Sequence, residues 1–226
     1  MQKKTDISVI IRTKNEERWI GYAIQSVLDH IYKPEIIIID NNSEDSTLEI
    51  VRHFIQEPLL DQKNQKYTKI KIFNIENYSP GRALNLGVKN CTKKYVLIMS
   101  AHCILKKINY YNHIKDLKTF SAIFGKQNPI WNGKKITKRY IWSHFNEKKT
   151  INMYSKYEKR FFFHNAISFF EKKILIKHPF HEELAGKEDR YWANKIVSLK
   201  YNYLYDPNME VDHQYTDHGN TWKGLG

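Results

Sequence analysis

Polar and ionisable side chains directly follow three short apolar runs of the sequence. The first run ends in Arg12-Thr13-Lys14-Asn15-Glu16, the second in Asp40-Asn41-Asn42-Ser43-Glu44-Asp45, and a later one in Ser100-Ala101-His102-Cys103. Ligands of open α/β sheets bind at the carboxyl ends of the strands, so these segments are predicted to surround one ligand. A carboxylate that closes a buried Ile run, as Asp40 does, is costly unless it caps a turn or accepts hydrogen bonds from a ligand.

The elements that would position these segments follow a βαβ pattern, which predicts a parallel sheet with helices on both faces. The predicted strands of the first half are Ile7–Ile11, Glu35–Asp40, Ile70–Phe73 and Tyr95–Met99, with helices between them. From Lys106 to Arg160 the pattern weakens, and helices are placed there only loosely. It returns with a strand at Ala166–Phe170, a helix at Glu188–Leu199 and a strand at Tyr201–Tyr205.

Length, composition and charge predict one α/β domain that spans residues 1–226. No apolar run approaches the roughly 20 residues that a membrane-spanning helix needs. The amino terminus lacks the apolar stretch of a secretory signal, and the two cysteines support neither a disulfide framework nor a thiolate zinc site, which together predict a cytoplasmic protein. The net charge of +13 favours an anionic partner, although it is also compatible with a compositional bias.

Four motifs occur in a fixed order along the chain. A Thr/Ser-x-Asn-Glu turn, here Thr13 to Glu16, ends the first strand, and an Asp with a small polar turn, here Asp40 to Thr47, ends the second. A Gly-x-x-x-Asn-x-Gly helix start, here Gly81 to Gly87, precedes the fourth strand, and a Gly-x-Glu-Asp motif, here Gly186 to Asp189, opens the later helix. In order and spacing the chain resembles the inverting GT-A glycosyltransferases of family two.

The resemblance implies a GT-A fold in which residues 1–103 bind a nucleotide-sugar donor and residues 104–226 bind the acceptor. The donor contacts that it implies are Arg12, Thr13, Asn15, Glu16, Asp40, Asn42, Gly81, Arg82, Asn85, Ser100 and Ala101. An inverting transfer also needs a base for the proton of the acceptor hydroxyl, and the resemblance implies Asp189, with Glu188 as the second candidate. The alternative for both carboxylates is that they only complement the dipole of the helix they open.

The sequence departs from the family pattern after the fourth strand, where the family has Asp-x-Asp to hold a divalent cation. Here Ser100-Ala101-His102 takes that place, and His213 occupies a position comparable to an additional histidine ligand of some GT-A enzymes. Imidazole suits Mn²⁺ and softer ions better than Mg²⁺. Three hypotheses follow: a cation (Mn²⁺ or Mg²⁺) held by His102 and His213, with His218 a weaker candidate; a metal-free site that uses Arg12, Arg82 or lysines; or a catalytically dead binding domain.

The predicted partners are a nucleotide-sugar donor and a glycan or glycolipid acceptor, in bacterial surface polysaccharide, capsule or glycolipid synthesis. The basic surplus is compatible with peripheral association at the inner face of the plasma membrane. The aromatic and basic stretch Tyr154–His164 has two interpretations: its rings stack on sugars, or they belong to the core. Two of its three phenylalanines are assigned to the core. No nucleic-acid-binding signature accompanies the basic residues. The alternatives are a non-catalytic nucleotide-sugar or glycan-binding module, and a sugar nucleotidyltransferase, against which the glycine-free Arg12–Glu16 segment counts.

Overall fold

The structure, a computed structural model, describes residues 6–56, 69–136 and 144–217. The strands are β1 (Ile7–Thr13), β2 (Glu35–Asp40), β3 (Lys69–Asn74), β4 (Tyr95–Ser100), β5 (Cys103–Lys107), β6 (Ala122–Trp131), β7 (Lys134–Lys135), β8 (Thr150–Ile151), β9 (Tyr154–Ser155), β10 (Arg160–Phe161), β11 (Ile167–Glu171) and β12 (Leu204–Gln214). The helices are α1 (Ile20–His30), α2 (Thr47–Gln56), α3 (Pro80–Asn90), α4 (Tyr110–Asp116), α5 (Lys172–Lys177) and α6 (Glu188–Ser198).

One sheet contains strands from both halves of the chain, in the order β3-β2-β1-β4-β11-β6-β12-β5, with β7 beside β6 and β8 beside β12. The strands β3, β2, β1 and β4 are parallel. β11 runs antiparallel to both β4 and β6, and β6 is parallel to β12. β9 and β10 form a separate hairpin. The predicted α/β fold, with a central and mostly parallel sheet, is confirmed.

Helices cover both faces of the sheet, as predicted. One face packs on α1, α2 and α4 through residues that include Ile24, Val27, Val51 and Tyr110. The other face packs on α3, α5 and α6 through residues that include Leu84, Leu175, Trp192 and Ile196. β2 is buried along its whole length, as expected for a continuous Ile run at the centre of a parallel sheet.

The register of the strands brings the polar segments to one edge of the sheet. Thr13 at the end of β1 lies beside Asp40 at the end of β2. On the other side of β1, Arg12 lies beside Ser100 at the end of β4. His213 of β12 lies beside Cys103, the first residue of β5. Residues that are far apart in the sequence therefore meet where the parallel strands end.

The two glycines of the Gly-x-x-x-Asn-x-Gly motif are sites of close approach. A Cβ on Gly81 would lie 2.1 Å from the carbonyl oxygen of His181, and a Cβ on Gly87 would lie 2.7 Å from the side chain of Ile10. Gly87 thus lets α3 pack against β1, and Gly81 lets the segment before α6 pack on the start of α3. Ser79 caps this helix by accepting a hydrogen bond from the backbone N–H of Arg82, at 3.1 Å.

The second half of the fold differs most from the sequence prediction. The stretch predicted to hold loosely placed helices contains α4 but also the long central strand β6, and β5 follows the His102 segment directly. The last strand begins at Leu204 and continues to Gln214, beyond the predicted Tyr201–Tyr205. Phe162 and Phe163 are buried and Phe161 is half-buried, which confirms two core phenylalanines out of three. The loop predicted between Gln56 and Lys69 lies almost entirely outside the described residues.

Candidate active site

An open cavity of about 330 Å³ lies at the carboxyl edge of the parallel strands. It is lined by Arg12, Thr13, Lys14, Asn15, Glu16, Asn41, Tyr78, Pro80, Ser100, His102, Ala185 and Thr216. Six of these twelve residues, Arg12, Thr13, Asn15, Glu16, Ser100 and His102, are among the site residues predicted from the sequence. Lys14 and Asn41 belong to the segments predicted to surround one ligand, and Tyr78 and Thr216 add polar groups that the sequence did not single out. The lining mixes cations, amides and hydroxyls, which is a composition able to bind a phosphorylated, polar ligand.

Asp40 lies beneath the loop that borders this cavity. Its carboxylate accepts hydrogen bonds from the backbone N–H of Ser43 at 3.0 Å and from the Ser43 hydroxyl at 2.6 Å. The next residue, Asn41, lines the cavity, and Asn42 adopts a left-handed φ of 52°. The Ser43 hydroxyl also accepts from the N–H of Asn15, at 2.9 Å. Asp40 therefore fixes the turn after β2 and, through Ser43, the turn after β1.

His102 is held at the cavity by Glu16. The His102 Nδ1 lies 2.7 Å from the Glu16 carboxylate, and the rings of His102 and His213 have their centroids 4.8 Å apart. His213 is buried, and its Nδ1 pairs with the side-chain oxygen of Gln127. Burial, reinforced by the neighbouring His102 and His164, lowers the pKa of His213 well below its ordinary value, which keeps that ring neutral.

The ring nitrogens of these two histidines are suitable ligands for the divalent cation that the resemblance implies. Because each Nδ1 faces an oxygen acceptor, it carries the proton, and the ring lone pair is left on Nε2, as in histidine ligands oriented by a carboxylate or amide. Within residues 6–56, 69–136 and 144–217, no group of three or more His, Cys, Asp or Glu side chains is placed to hold a metal ion. The weaker candidate, His218, lies outside the described residues.

Arg12 connects the cavity to the first turn of α6. Its guanidinium donates to Glu188 Oε1 at 3.1 Å and to the carbonyl oxygen of Pro80 at 3.2 Å. Burial opposes the charged form of Arg12, but Glu188, Tyr78 and Asp189 outweigh it, so the pKa of Arg12 is raised. Burial raises the pKa of Glu188, Arg12 counteracts this shift and the adjacent Asp189 adds to it. The positive charge of Arg12, which lines the cavity, therefore acts on both Glu188 and Asp189.

Asp189 is held by Arg190, a cation that the sequence analysis did not single out. One carboxylate oxygen of Asp189 accepts from the backbone N–H of Arg190 at 2.7 Å, and the other lies 3.1 Å from the Arg190 guanidinium. The same guanidinium lies 3.4 Å from the Glu158 carboxylate and stacks over the Phe162 ring. The adjacent acidic pair thus has a separate cation for each carboxylate, with Arg12 at Glu188 and Arg190 at Asp189.

The remaining predicted donor residues lie around or behind the cavity. Arg82 lines an adjoining depression that shares Tyr78 and Ala185 with the main cavity, and it pairs there with Glu182 and Glu183. The Asn85 amide is engaged with the 180–182 segment through the backbone of Phe180 and the Glu182 carboxylate. Ala101 is buried in the core, and neither Asp40 nor Asp189 is part of the cavity lining.

Polar loops surround one cavity at the carboxyl ends of parallel strands that belong to a longer mixed sheet, which is where open α/β domains bind their ligands. The family model described as glycosyl transferase family 2 matches residues 8–178. The chain belongs to that family. The matched region includes the cavity-lining ends of β1 and β4, and it stops before Glu188 and Asp189.

Two curated relatives are similar in sequence to parts of this chain. The dolichyl N-acetyl-alpha-D-glucosaminyl phosphate 3-beta-D-2,3-diacetamido-2,3-dideoxy-beta-D-glucuronosyltransferase of Methanococcus voltae is 30% identical over 112 residues, which are 48% of this chain and 33% of the relative. The GalNAc(5)-diNAcBac-PP-undecaprenol beta-1,3-glucosyltransferase of Campylobacter jejuni is 27% identical over 204 residues, 83% of this chain and 59% of the relative. The matches therefore span less than two thirds of the length of either relative.

A solved structure with the same fold is the mannosyltransferase PcManGT from Pyrobaculum calidifontis, in complex with GDP-Man and Mn²⁺. It superposes with a TM-score of 0.69 at 20% sequence identity, over 98% of this chain and 61% of the PcManGT chain. At this identity the likeness establishes the fold alone.

Proposed function

We propose that this chain transfers a sugar from a nucleotide-diphosphate donor to a hydroxyl acceptor, with inversion at the anomeric carbon. The observation that carries the proposal is the contact between Arg12, which lines the cavity, and Glu188, which opens α6 beside Asp189. A cation for a departing diphosphate and a carboxylate for the attacking hydroxyl are the two groups that such a reaction requires. Here they converge from opposite ends of the sequence.

The donor would occupy the cavity. The turns after β1 and β2, which Ser43 ties together, would bind the nucleoside, and Arg12 and His102 would face the diphosphate. Arg12 would then exchange its contact with Glu188 for phosphate oxygens. A divalent cation, if held by His102 and His213, would supply further neutralisation of the leaving group. Residues 1–103 would thus supply most of the donor site, to which Ala185, His213 and Thr216 of the second half add, and residues 104–226 would bind the acceptor.

The reaction is a direct displacement. The acceptor oxygen attacks the anomeric carbon, the bond from that carbon to the diphosphate breaks, and Asp189 takes the proton of the attacking hydroxyl. Arg190, at 3.1 Å from the Asp189 carboxylate, orients this base. Preorganised positive charge at the leaving group is commonly worth several kcal/mol, so Arg12 is as important to the rate as the base.

Surface glycan or glycolipid synthesis in bacteria is the biological setting that we propose. The names of both relatives include a polyprenol carrier, dolichyl in one and undecaprenol in the other. Such a carrier places the acceptor at a membrane surface, which agrees with the net charge of +13. The two other hypotheses, a non-catalytic binding module and a nucleotidyltransferase, differ from the proposal in whether a donor sugar is turned over and which bond breaks.

Slow hydrolysis of the donor is the experiment that separates these functions. We expect the chain to release free sugar and nucleoside diphosphate from a UDP-sugar or GDP-sugar, to lose this activity in EDTA and to regain it with Mn²⁺. Donor binding without turnover would support the binding module. Formation of sugar 1-phosphate and nucleoside triphosphate when pyrophosphate is added would support a nucleotidyltransferase. Full activity in EDTA would contradict a cation held by His102 and His213 and leave neutralisation to Arg12.

The helix α5 supports peripheral association with an anionic membrane. No helix of the described residues is long and apolar enough to cross a bilayer. Ile176 on α5 is 64% exposed, and Leu199 beyond α6 is 46% exposed. The exposed lysines of this surface are Lys173, Lys177, Lys195 and Lys200. An apolar side chain among several lysines is the combination that binds an anionic lipid surface. A cytoplasmic location, at the inner face of the plasma membrane, is part of this proposal.

Replacing both Lys173 and Lys177 by Ser is expected to weaken binding to phosphatidylglycerol-containing vesicles by roughly 30-fold, because each lysine near such a surface contributes about 1 kcal/mol. Co-sedimentation with vesicles measures the change. The matched control is the double replacement of Lys115 and Lys118, two exposed lysines on and beside α4 at the other face of the sheet. Two results would contradict the proposal that the α5 surface binds an anionic membrane: equal loss of binding in both double variants, or equal binding to neutral phosphatidylcholine vesicles.

A further inference from the structure

A second buried carboxylate contacts the cation that holds the proposed base. Glu158 lies in the turn between β9 and β10, and its carboxylate is 3.4 Å from the Arg190 guanidinium. The same guanidinium is 3.1 Å from Asp189 and lies over the buried ring of Phe162. The side chains of Arg190, Glu158 and Asp189 are only 5%, 8% and 11% exposed. One guanidinium therefore contacts two carboxylates in a place that little water reaches.

We propose that Glu158 is a positioning residue for the reaction: by sharing Arg190 with Asp189, it keeps Asp189 able to take the proton of the attacking hydroxyl. This inference rests on the proposed function, in which Asp189 is the base. Glu158 is not part of the cavity lining, so it would act through Arg190 and not on the substrate.

The charge around Asp189 decides how well it serves as a base. A carboxylate beside one undivided guanidinium is stabilised in its ionised form and takes up a proton less readily. Catalysis weakens accordingly, because the rate of general-base catalysis follows the strength of the base. The negative charge of Glu158 offsets part of the charge of Arg190. Arg12 and Glu188 also act on Asp189, and their opposite charges partly cancel.

The hairpin that carries Glu158 is packed on the helix that carries Arg190. The backbone N–H of Glu158 donates to the Ser155 hydroxyl at 3.1 Å, which holds the turn. The amide of Asn194 on α6 accepts from the N–H of Phe161 and donates to its carbonyl oxygen, both at 3.3 Å. Glu158 is therefore positioned beside Arg190 before any substrate binds.

Glu158 is held in this place by charge. Within residues 6–56, 69–136 and 144–217, neither oxygen of its carboxylate accepts a hydrogen bond. A second guanidinium, that of Arg160, lies 3.9 Å from the carboxylate. Buried ion pairs contribute little net stability, because removing the charges from water costs about as much as their attraction returns. The presence of a buried carboxylate here is better explained by its effect on Arg190 than by a contribution to the fold.

The other titratable groups that face Arg190 are uncharged near pH 7. Burial, with a contribution from Arg190, lowers the pKa of His164 to about 3, although a hydrogen bond to the backbone opposes this shift. Burial also raises the pKa of Tyr203. Burial opposes the charged form of Arg190, but Asp189 and Glu158 outweigh it, so the pKa of Arg190 is raised. The charge balance at Arg190 is therefore set by these two carboxylates.

Donor hydrolysis measures the effect without an acceptor, because water then supplies the attacking hydroxyl. The donor is whichever of UDP-glucose, UDP-N-acetylglucosamine and GDP-mannose the unchanged chain hydrolyses fastest. Glu158→Gln keeps the shape of the side chain and removes its charge, and we expect kcat to fall about three- to tenfold while the donor Kd stays the same. Glu158→Asp keeps the charge and should retain more of kcat than Glu158→Gln.

The pH dependence of kcat shows whether the effect passes through Asp189. The double variant Arg190→Met with Glu158→Gln removes the cation and its second carboxylate together, so neither is left buried without the other. Asp189 then keeps a proton more readily, and the fall of kcat on the acid side should move to higher pH by about 1 to 3 units. In Glu158→Gln alone this fall should not move to higher pH, because Arg190 then acts on Asp189 undivided.

Glu171→Gln is the matched control, because Glu171 is a half-buried carboxylate paired with Lys94 and Lys173 at the opposite end of the strands. Its kcat and pH profile should equal those of the unchanged chain. The inference is overturned if Glu158→Gln keeps full kcat, if it retains more of kcat than Glu158→Asp, or if the double variant has an unchanged pH profile. A chain that hydrolyses no donor at all contradicts the proposed function, whereas an active chain with any of these three results retains that function and loses only the role of Glu158.

Discussion

Replacing Asp189 by Asn is expected to lower kcat for glycosyl transfer by about 100- to 10,000-fold, while the Kd for the donor stays nearly the same. The amide has the shape of the carboxylate and can still accept a hydrogen bond from the N–H of Arg190, so the first turn of α6 is retained. It cannot take the proton of the acceptor hydroxyl. A loss in kcat without a loss in donor affinity is the signature of a group that acts on the transition state alone.

Single-turnover transfer and donor titration on the same preparation would measure the two effects. Asp29→Asn is the matched control, because Asp29 is an exposed carboxylate on α1 whose partner is Gln25. Glu188→Gln should affect donor affinity more than kcat, since Glu188 contacts Arg12. If Glu188→Gln removes transfer and Asp189→Asn leaves it, then Glu188 is the base and the assignment to Asp189 is wrong.

The proposed donor half of the site follows from the sequence because its residues end strands that are neighbours in the sheet. A period-two or continuous apolar run predicts where a parallel strand ends, and the register places Arg12 beside Ser100 and Thr13 beside Asp40. The loop residues Thr13, Asn15, Glu16 and His102 therefore line one cavity, as predicted. Their roles as donor contacts stay predictions. Tyr78 and Thr216 lacked such a signal, because they come from connecting segments whose paths depend on tertiary packing.

The proposed acceptor half could not be predicted from the sequence to the same degree. β6 contains Gly125, Lys126 and Pro129, residues that are depleted in strands, yet packing overrides the pattern. A Cβ on Gly125 would lie 2.2 Å from the carbonyl oxygen of Met209, so this glycine is required by the neighbouring strand. The pairing of Arg190 with Glu158 joins a helix to a hairpin tip, and neither residue carries a periodic signal that predicts it.

The sequence left two interpretations of Asp40 open, a turn cap and a ligand contact, and the structure shows the first. Its carboxylate caps the turn after β2 by accepting two hydrogen bonds from Ser43, which is the turn-capping role that the sequence allowed. The same turn presents Asn41 to the cavity and, through Ser43, fixes Asn15. A direct contact of Asp40 with a nucleoside stays a prediction. Each carboxylate oxygen accepts one hydrogen bond from Ser43 and has a second lone pair with which it can accept a bond from a ligand.

The second large effect is expected from Arg12→Met, which keeps the aliphatic stem of Arg12 and removes its charge. The Arg12 and Glu188 side chains are only 18% and 6% exposed, so the substitution leaves a buried carboxylate without its cation. Breaking a buried pair in this way costs about 3 kcal/mol, which corresponds to a fall in Tm of roughly 6 to 12 °C for a domain of this size. Transfer should fall as well, because the leaving diphosphate loses the cation placed to neutralise it.

The double variant Arg12→Met with Glu188→Gln separates these two consequences. Removing the stranded carboxylate should restore at least half of the lost Tm, because a neutral amide is much less costly to bury than an unpaired charge. Transfer should stay low, because the cation is still missing. The four proteins form a double-mutant cycle in which Tm and kcat/KM are measured together. If the double variant is no more stable than Arg12→Met, the two side chains are not coupled, and if it regains transfer, Arg12 serves the fold and not the diphosphate.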